Sequence, residues 1–213
     1  VGDASIRPAE AVRNLGVIMD KNLNMQSHIN QVCRVCYYHL KNIGSIRKCL
    51  TNEVTATLVH SLVASRVDYG NALLFGLPCS STAKLQNVLN VGARIVSLTR
   101  RFDPISPVLK DLHWLRMEQR ICFKLLVTTY KAVSGIAPIY LQDMVKLYKP
   151  SRDLRSQDAM LLDVPRCRGR SYGYRSFSVA VPTLWNKLPV SIRKAATLGE
   201  FCRRLKACTS PWI

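Results

Sequence analysis

Acidic residues are scarce in this chain: 13 Asp and Glu stand against 31 Lys and Arg over 213 residues, a formal net charge of +18 at pH 7. No Asp-Asp pair occurs, and the acids are scattered. That excludes the clustered carboxylates with which two-metal polymerases and nucleases hold Mg²⁺. Asp20 and Asp68 each have a structural reading instead, one in a turn and one beside a basic residue. Histidine is rarer still, at positions 28, 39, 60 and 113. No Gly-x-Ser-x-Gly turn and no glycine-rich phosphate loop is present. Apolar windows such as residues 54–65 are too short and too polar to span a bilayer. The chain opens Val1-Gly2-Asp3-Ala4-Ser5, with neither an initiating Met nor a basic start and apolar run. It therefore reads as a fragment or a processed piece. Repeats and low-complexity tracts are absent. These absences predict a soluble, intracellular (nuclear or cytoplasmic) chain with no catalytic residue, no metal, no cofactor and no membrane partner.

What is present is an apolar core under a basic surface. Hydrophobic residues make up 48% of the chain, ample for a globular fold. A globular chain carrying so large a positive field usually meets a polyanion, so RNA or DNA is the predicted partner. The charge is uneven: residues 166–213 hold ten Lys and Arg and one acid, Glu200, hence half of the net charge. Within them Arg166, Arg168, Arg170 and Arg175 alternate with Gly169, Tyr172, Gly173 and Tyr174. Arginines suit phosphates, glycines permit close approach, and tyrosines stack on bases. A final helix over residues 198–208 would place Phe201 and Leu205 inward and Arg203, Arg204 and Lys206 outward.

Periodicity predicts a mainly α chain, a helical bundle with a short N-terminal β remnant and a small basic C-terminal module. Residues 12–19 read as a short strand around Gly16. Ser27 would cap a helix whose apolar face is Ile29, Val32, Cys33, Cys36 and Leu40. Thr51 would cap a nearly all-apolar helix, and Ser80 or Ser81 a third. Residues 117–133 form a long helix closed by Gly135, and Pro138 restarts a shorter one through Met144 and Leu147. Residues 160–164 suggest a strand. The texture divides the chain into residues 1–22, 23–148 and 149–213. Eight cysteines occupy mostly apolar helical positions and read as reduced, buried thiols. Cys33-Arg34-Val35-Cys36, near His28 and His39, invites a zinc reading. One helix cannot close a tetrahedron, however, and no second pair follows.

Several stretches together resemble the C-terminal portion of non-LTR (LINE-type) retrotransposon reverse transcriptases. They are residues 14–20 (NLGVIMD), Ser27-His28-Ile29, residues 58–78 (LVHSLVASRVDYGNALLFGLP), 85–94 (LQNVLNVGAR), 107–115 (PVLKDLHWL) and 177–189 (FSVAVPTLWNKLP). The resemblance runs in one order over nearly the whole chain, although each motif alone is only moderately specific. It implies that the segment ending at Asp20 closes a polymerase palm, that residues 23–148 are a helical thumb and connector, and that the rest is a C-terminal region. The family's catalytic Tyr-Ala-Asp-Asp motif has no counterpart here, so the resemblance implies part of an RNA-directed DNA polymerase without its activity. Some relatives carry a Cys/His knuckle, which Cys202 and Cys208 do not form. A thumb grips template–primer through backbone phosphates, and Lys41, Arg47, Lys48, Lys84 and Arg94 are the candidates for that grip. The alternative is a transposon-derived, non-catalytic module that binds a protein.

Overall fold

A computed structural model describes residues 9–150, 160–167, 169 and 172–208. The described residues are mainly helical, with one short antiparallel sheet among them, and the chain divides into two compact units, Val1–Met117 and Glu118–Ile213.

The first unit opens with a hairpin. Strands β1 (Ala11–Asn14) and β2 (Val17–Asp20) pair antiparallel, with Asn14 opposite Val17. The single strand expected over residues 12–19 is thus folded in two at Leu15-Gly16. Both turn residues have positive φ, +45° and +85°, as a two-residue hairpin of matching twist requires. The Tyr69 hydroxyl donates to the Leu15 carbonyl at 2.6 Å and fastens the turn. Asp20 then shapes the approach to helix α1 (Gln26–Ser45): its carboxylate accepts from the N–H groups of Asn22, Asn24 and Met25. The Asn24 side chain accepts from Gln26 N–H, and Ser27, the expected cap, already lies inside the helix.

α1 buries His28, Ile29, Cys33, Cys36, Leu40 and Ile43, one stripe at helical spacing, and packs chiefly on α4 (Cys79–Ser97). Between them run a 3₁₀ turn (Arg47–Cys49), α2 (Asn52–Val59), a π turn (His60–Ala64) and α3 (Ser65–Asp68). Thr51 caps α2 as its sequence suggests, accepting from Val54 N–H. The π turn has a geometric reason. Val59, Val63 and Val67 are buried and recur every four residues, which drifts by about 80° over two steps of an α-helix. The wider turn absorbs that drift and keeps all three inward. His60, at the start of the π turn, is exposed although the helix around it is apolar.

α4 begins after Pro78 without a side-chain cap, so neither Ser80 nor Ser81 serves. Gly92 is where it meets α2: a Cβ there would stand 2.9 Å from Val59 Cγ1. Helix α5 (Ile105–Asp111) ends with Trp114 N–H donating to Leu109 O at 2.8 Å and His113 at φ +55°.

Helix α6 (Met117–Val133) has the bounds its periodicity predicts. It closes on Gly135 at φ +73°, with Ile136 N–H on Lys131 O. Helix α7 (Ile139–Asp143) stops short of Met144 and Leu147. The strand expected over 160–164 reduces to one bridge, Leu147 with Leu162. Helices α8 (Tyr172–Arg175), α9 (Phe177–Asn186), α10 (Val190–Arg193) and α11 (Leu198–Ala207) complete the second unit. Thr197 caps α11 by accepting from Glu200 N–H, and Glu200 accepts in return from Ala196 N–H.

The core of this unit is an aromatic stack. Phe201 lies between Tyr130, with ring centroids 4.6 Å apart, and Trp185, at 5.7 Å. Tyr130 also donates to Ala195 O at 2.9 Å, and Trp185 Nε1 to Met160 O at 2.8 Å. These contacts tie α6 to the C-terminal helices within the unit that runs from Glu118. No helix among the described residues is long and apolar enough to cross a membrane.

The thiols divide by burial. Burial, with Cys33 nearby adding to it, pushes the Cys36 thiol up to about 11, and burial followed by Glu118 does the same to Cys122. Cys49, Cys79 and Cys167 are exposed. At neutral pH, a thiol-reactive disulfide reagent is expected to label these three in the folded protein and to reach Cys36 and Cys122 only in urea. Equal labelling rates for all five, read by mass spectrometry, would contradict the packing of α1 and α6.

Candidate nucleic-acid interface

In the first unit the exposed side of α1 carries Arg34, Tyr38 and Lys41, spaced i, i+4 and i+7 on one line. Tyr38 is 64% exposed, and Tyr37 beside it 43%. The helix contains no acid, so nothing on it competes for these cations. Arg34 and Tyr38 extend the grip candidate Lys41 along the same side of α1. Their signal in the sequence is the run of polar and aromatic residues opposite the Cys33–Leu40 stripe. Lys48 is exposed in the 3₁₀ turn. Lys84 is exposed too, and its Nζ reaches α1, donating to Asn30 Oδ1 at 3.0 Å and Gln26 Oε1 at 3.3 Å.

Arg47 and Arg94 do other work. Arg47 is 9% exposed, and its guanidinium donates to the carbonyls of Ile95 (2.8 Å), Val96 (3.1 Å) and Leu50 (2.7 Å) and to Asn52 Oδ1. Its donors face the C-terminus of α4 and the turn before α2, so they are engaged within the fold rather than presented to solvent. Arg94 is half-buried and binds the carbonyls of Arg100 (3.3 Å) and Asp103 (3.1 Å), holding the loop after α4.

In the second unit Arg166 is exposed, and Arg175 is half-buried at the end of α8. Arg168 and Arg170 lie outside the described residues. On α11, Arg203 and Lys206 are exposed three residues apart, the ammonium of Lys206 standing 5.6 Å from the Phe123 ring centroid. Arg204 is drawn aside: it pairs with Glu200 at 2.6 Å and donates to Ser191 O. The Ala196 N–H first, and then Arg204, hold the Glu200 carboxyl below the usual carboxylate range. Arg193, although basic, is buried, and its Nε and Nη1 find no partner among the described residues.

The Cys33–Cys36 pair turns into the core, with Cys36 Sγ 3.8 Å from Val63 O. His28 is buried, accepts from Ile18 N–H at 3.5 Å, and is held by burial below the usual histidine value. Among the described residues no three His, Cys, Asp or Glu are grouped to hold a metal ion. The arrangement offers cations, hydroxyls and aromatic faces on helical surfaces, which suits binding of a polyanion. No family model, curated protein or solved structure matches this chain.

Proposed function

We propose that this chain is a non-catalytic piece of a non-LTR retrotransposon reverse transcriptase, covering thumb and post-palm regions, and that it binds nucleic acid through backbone phosphates without sequence preference. The observation that carries the reading is the acid-free outer side of α1, with Arg34, Tyr38 and Lys41 in line on a chain of net charge +18. The ordered series of family-like motifs supports the parentage. The scatter of the acids supports the lack of polymerase chemistry. Reduced thiols suit a place in the nucleus or cytoplasm.

A salt series tests it. Logarithmic affinity for a duplex should fall linearly with logarithmic salt, at about 0.9 per neutralised phosphate. Arg34→Gln with Lys41→Gln should lower that slope by about 1.8 if both residues touch phosphate. The same pair of changes at Arg203 and Lys206 reports on the second unit. Absence of binding at low salt would sink the reading. A protein-binding module is the second reading, favoured by Ile136, Ile139 and Tyr140, exposed by 64%, 76% and 63%. Protein binding on that surface would persist as salt rises.

A further inference from the structure

The loop after α4 presents its most apolar side chain to water. Phe102 is 93% exposed and Leu98 66%. Arg100 and Arg101 are exposed beside them, and the Arg101 guanidinium carbon stands 5.9 Å from the Phe102 ring centroid. An exposed Phe on a loose loop would mean little. This loop is built. Arg94 holds the carbonyls of Arg100 and Asp103. The Asp103 carboxylate accepts from Arg100 N–H at 3.0 Å, and Asp103 N–H returns to Arg100 O at 3.3 Å. Ser97 and Thr99 share a hydroxyl–hydroxyl bond at 2.5 Å. Leu98 ends α4 in the left-handed conformation, φ +57°, a common way for a helix to stop. The loop's own hydrogen bonds thus hold an aromatic ring and two cations outward.

We propose that residues 98–103 form a base-stacking contact for single-stranded nucleic acid, with Phe102 against an unpaired base and Arg100 and Arg101 on the flanking phosphates. The inference rests on the nucleic-acid reading above and narrows it to a strand form. Phe102 has no polar atom, so it recognises the π-face every base shares and not a sequence. Two arginines beside it match a polyanion, whereas an apolar protein surface would leave both unpaired. A fixed loop loses little freedom on binding.

The test is fluorescence anisotropy of the full chain with a labelled single-stranded oligothymidylate and with the corresponding duplex. Phe102→Ala should weaken single-strand binding by roughly 5- to 150-fold, with the salt slope unchanged. Phe102→Trp should restore it. Arg100→Gln and Arg101→Gln should each lower the single-strand slope by about 0.7. Phe102 is almost wholly exposed, so loss of fold does not confound the result. Unchanged single-strand affinity in Phe102→Ala would overturn the inference while leaving the α1 reading intact. A loss confined to the duplex would overturn it in favour of a wedge. Failure of the unaltered chain to bind either form would overturn both.

Discussion

Phe201→Ala is expected to destabilise the C-terminal unit by about 3–5 kcal/mol. Phe201 is fully buried between Tyr130 and Trp185, with interplanar angles of 26° and 24°. Truncation removes the transfer energy of the ring and leaves a cavity that two large neighbours cannot readily fill. Tyr130 is fixed by its bond to Ala195 O, and Trp185 by its bond to Met160 O, so neither can swing into the gap without leaving a buried polar atom unpaired. Stacking itself adds about 0.5–1.5 kcal/mol per pair. Whole domains are stable by only about 5–15 kcal/mol, so the loss is a large fraction of the total and should shift the unfolding midpoint well down. Phe201→Leu keeps most of the volume and should recover much of the loss. Urea unfolding followed by far-ultraviolet circular dichroism reads the difference. A Phe201→Ala midpoint matching that of the unaltered chain would show that the stack is not the core.

The parts of the fold that were legible in the sequence are those decided locally. α6 shows its face in Ile121, Leu125 and Leu126 and its end in Gly135, and the structure keeps both. Thr51 stands before a helix with Glu53 in its first turn, and it is the cap. Phe201 and Leu205 fall four apart in a basic helix and both turn inward.

The misses are tertiary. Ser27 is a good cap by composition, but Asp20, already positioned by the hairpin, reaches the chain entering α1 first. Pro182, a residue that disfavours helix interiors, lies within α9, whose buried face runs straight through it. Residues 160–164 look like a strand, but a bridge to Leu147 is all the pairing they find. Nothing local says that Tyr130 will meet Phe201, a phenylalanine far along the chain. The candidate site follows the same rule. Total charge is a sum and can be read directly. Whether a given arginine faces water, a carboxylate or a helix end depends on partners distant in sequence. Arg204, Arg94 and Arg47 are indistinguishable from Lys41 in the sequence for that reason, and the only local mark of the Phe102 loop is a helix end.

Arg47→Ala is expected to cost the N-terminal unit about 3 kcal/mol. Four acceptors surround this guanidinium from three directions. The carbonyls of Ile95 and Val96 belong to the last turn of α4, where the helix supplies no donor of its own, and Leu98 ends it without a donor side chain. A charged donor is worth about 1.5–3 kcal/mol per bond, and its removal strands carbonyls that little water can reach. The bonds are not additive, because one side chain makes them all. Arg47→Lys retains the charge but offers a single ammonium where a planar fork spanned Ile95, Leu50 and Asn52, so it should restore less than half of the loss. Lys48→Ala, one residue along and exposed, should change stability by less than about 0.5 kcal/mol. Urea unfolding of the three variants separates these cases. The same series bears on binding. In low urea, where Arg47→Lys remains folded, its salt slope for nucleic acid should equal that of the unaltered chain, since Arg47 touches no phosphate. A stable Arg47→Ala chain with a slope lowered by about 0.9 would mean that the guanidinium faces the ligand after all, and that α4 ends on water instead.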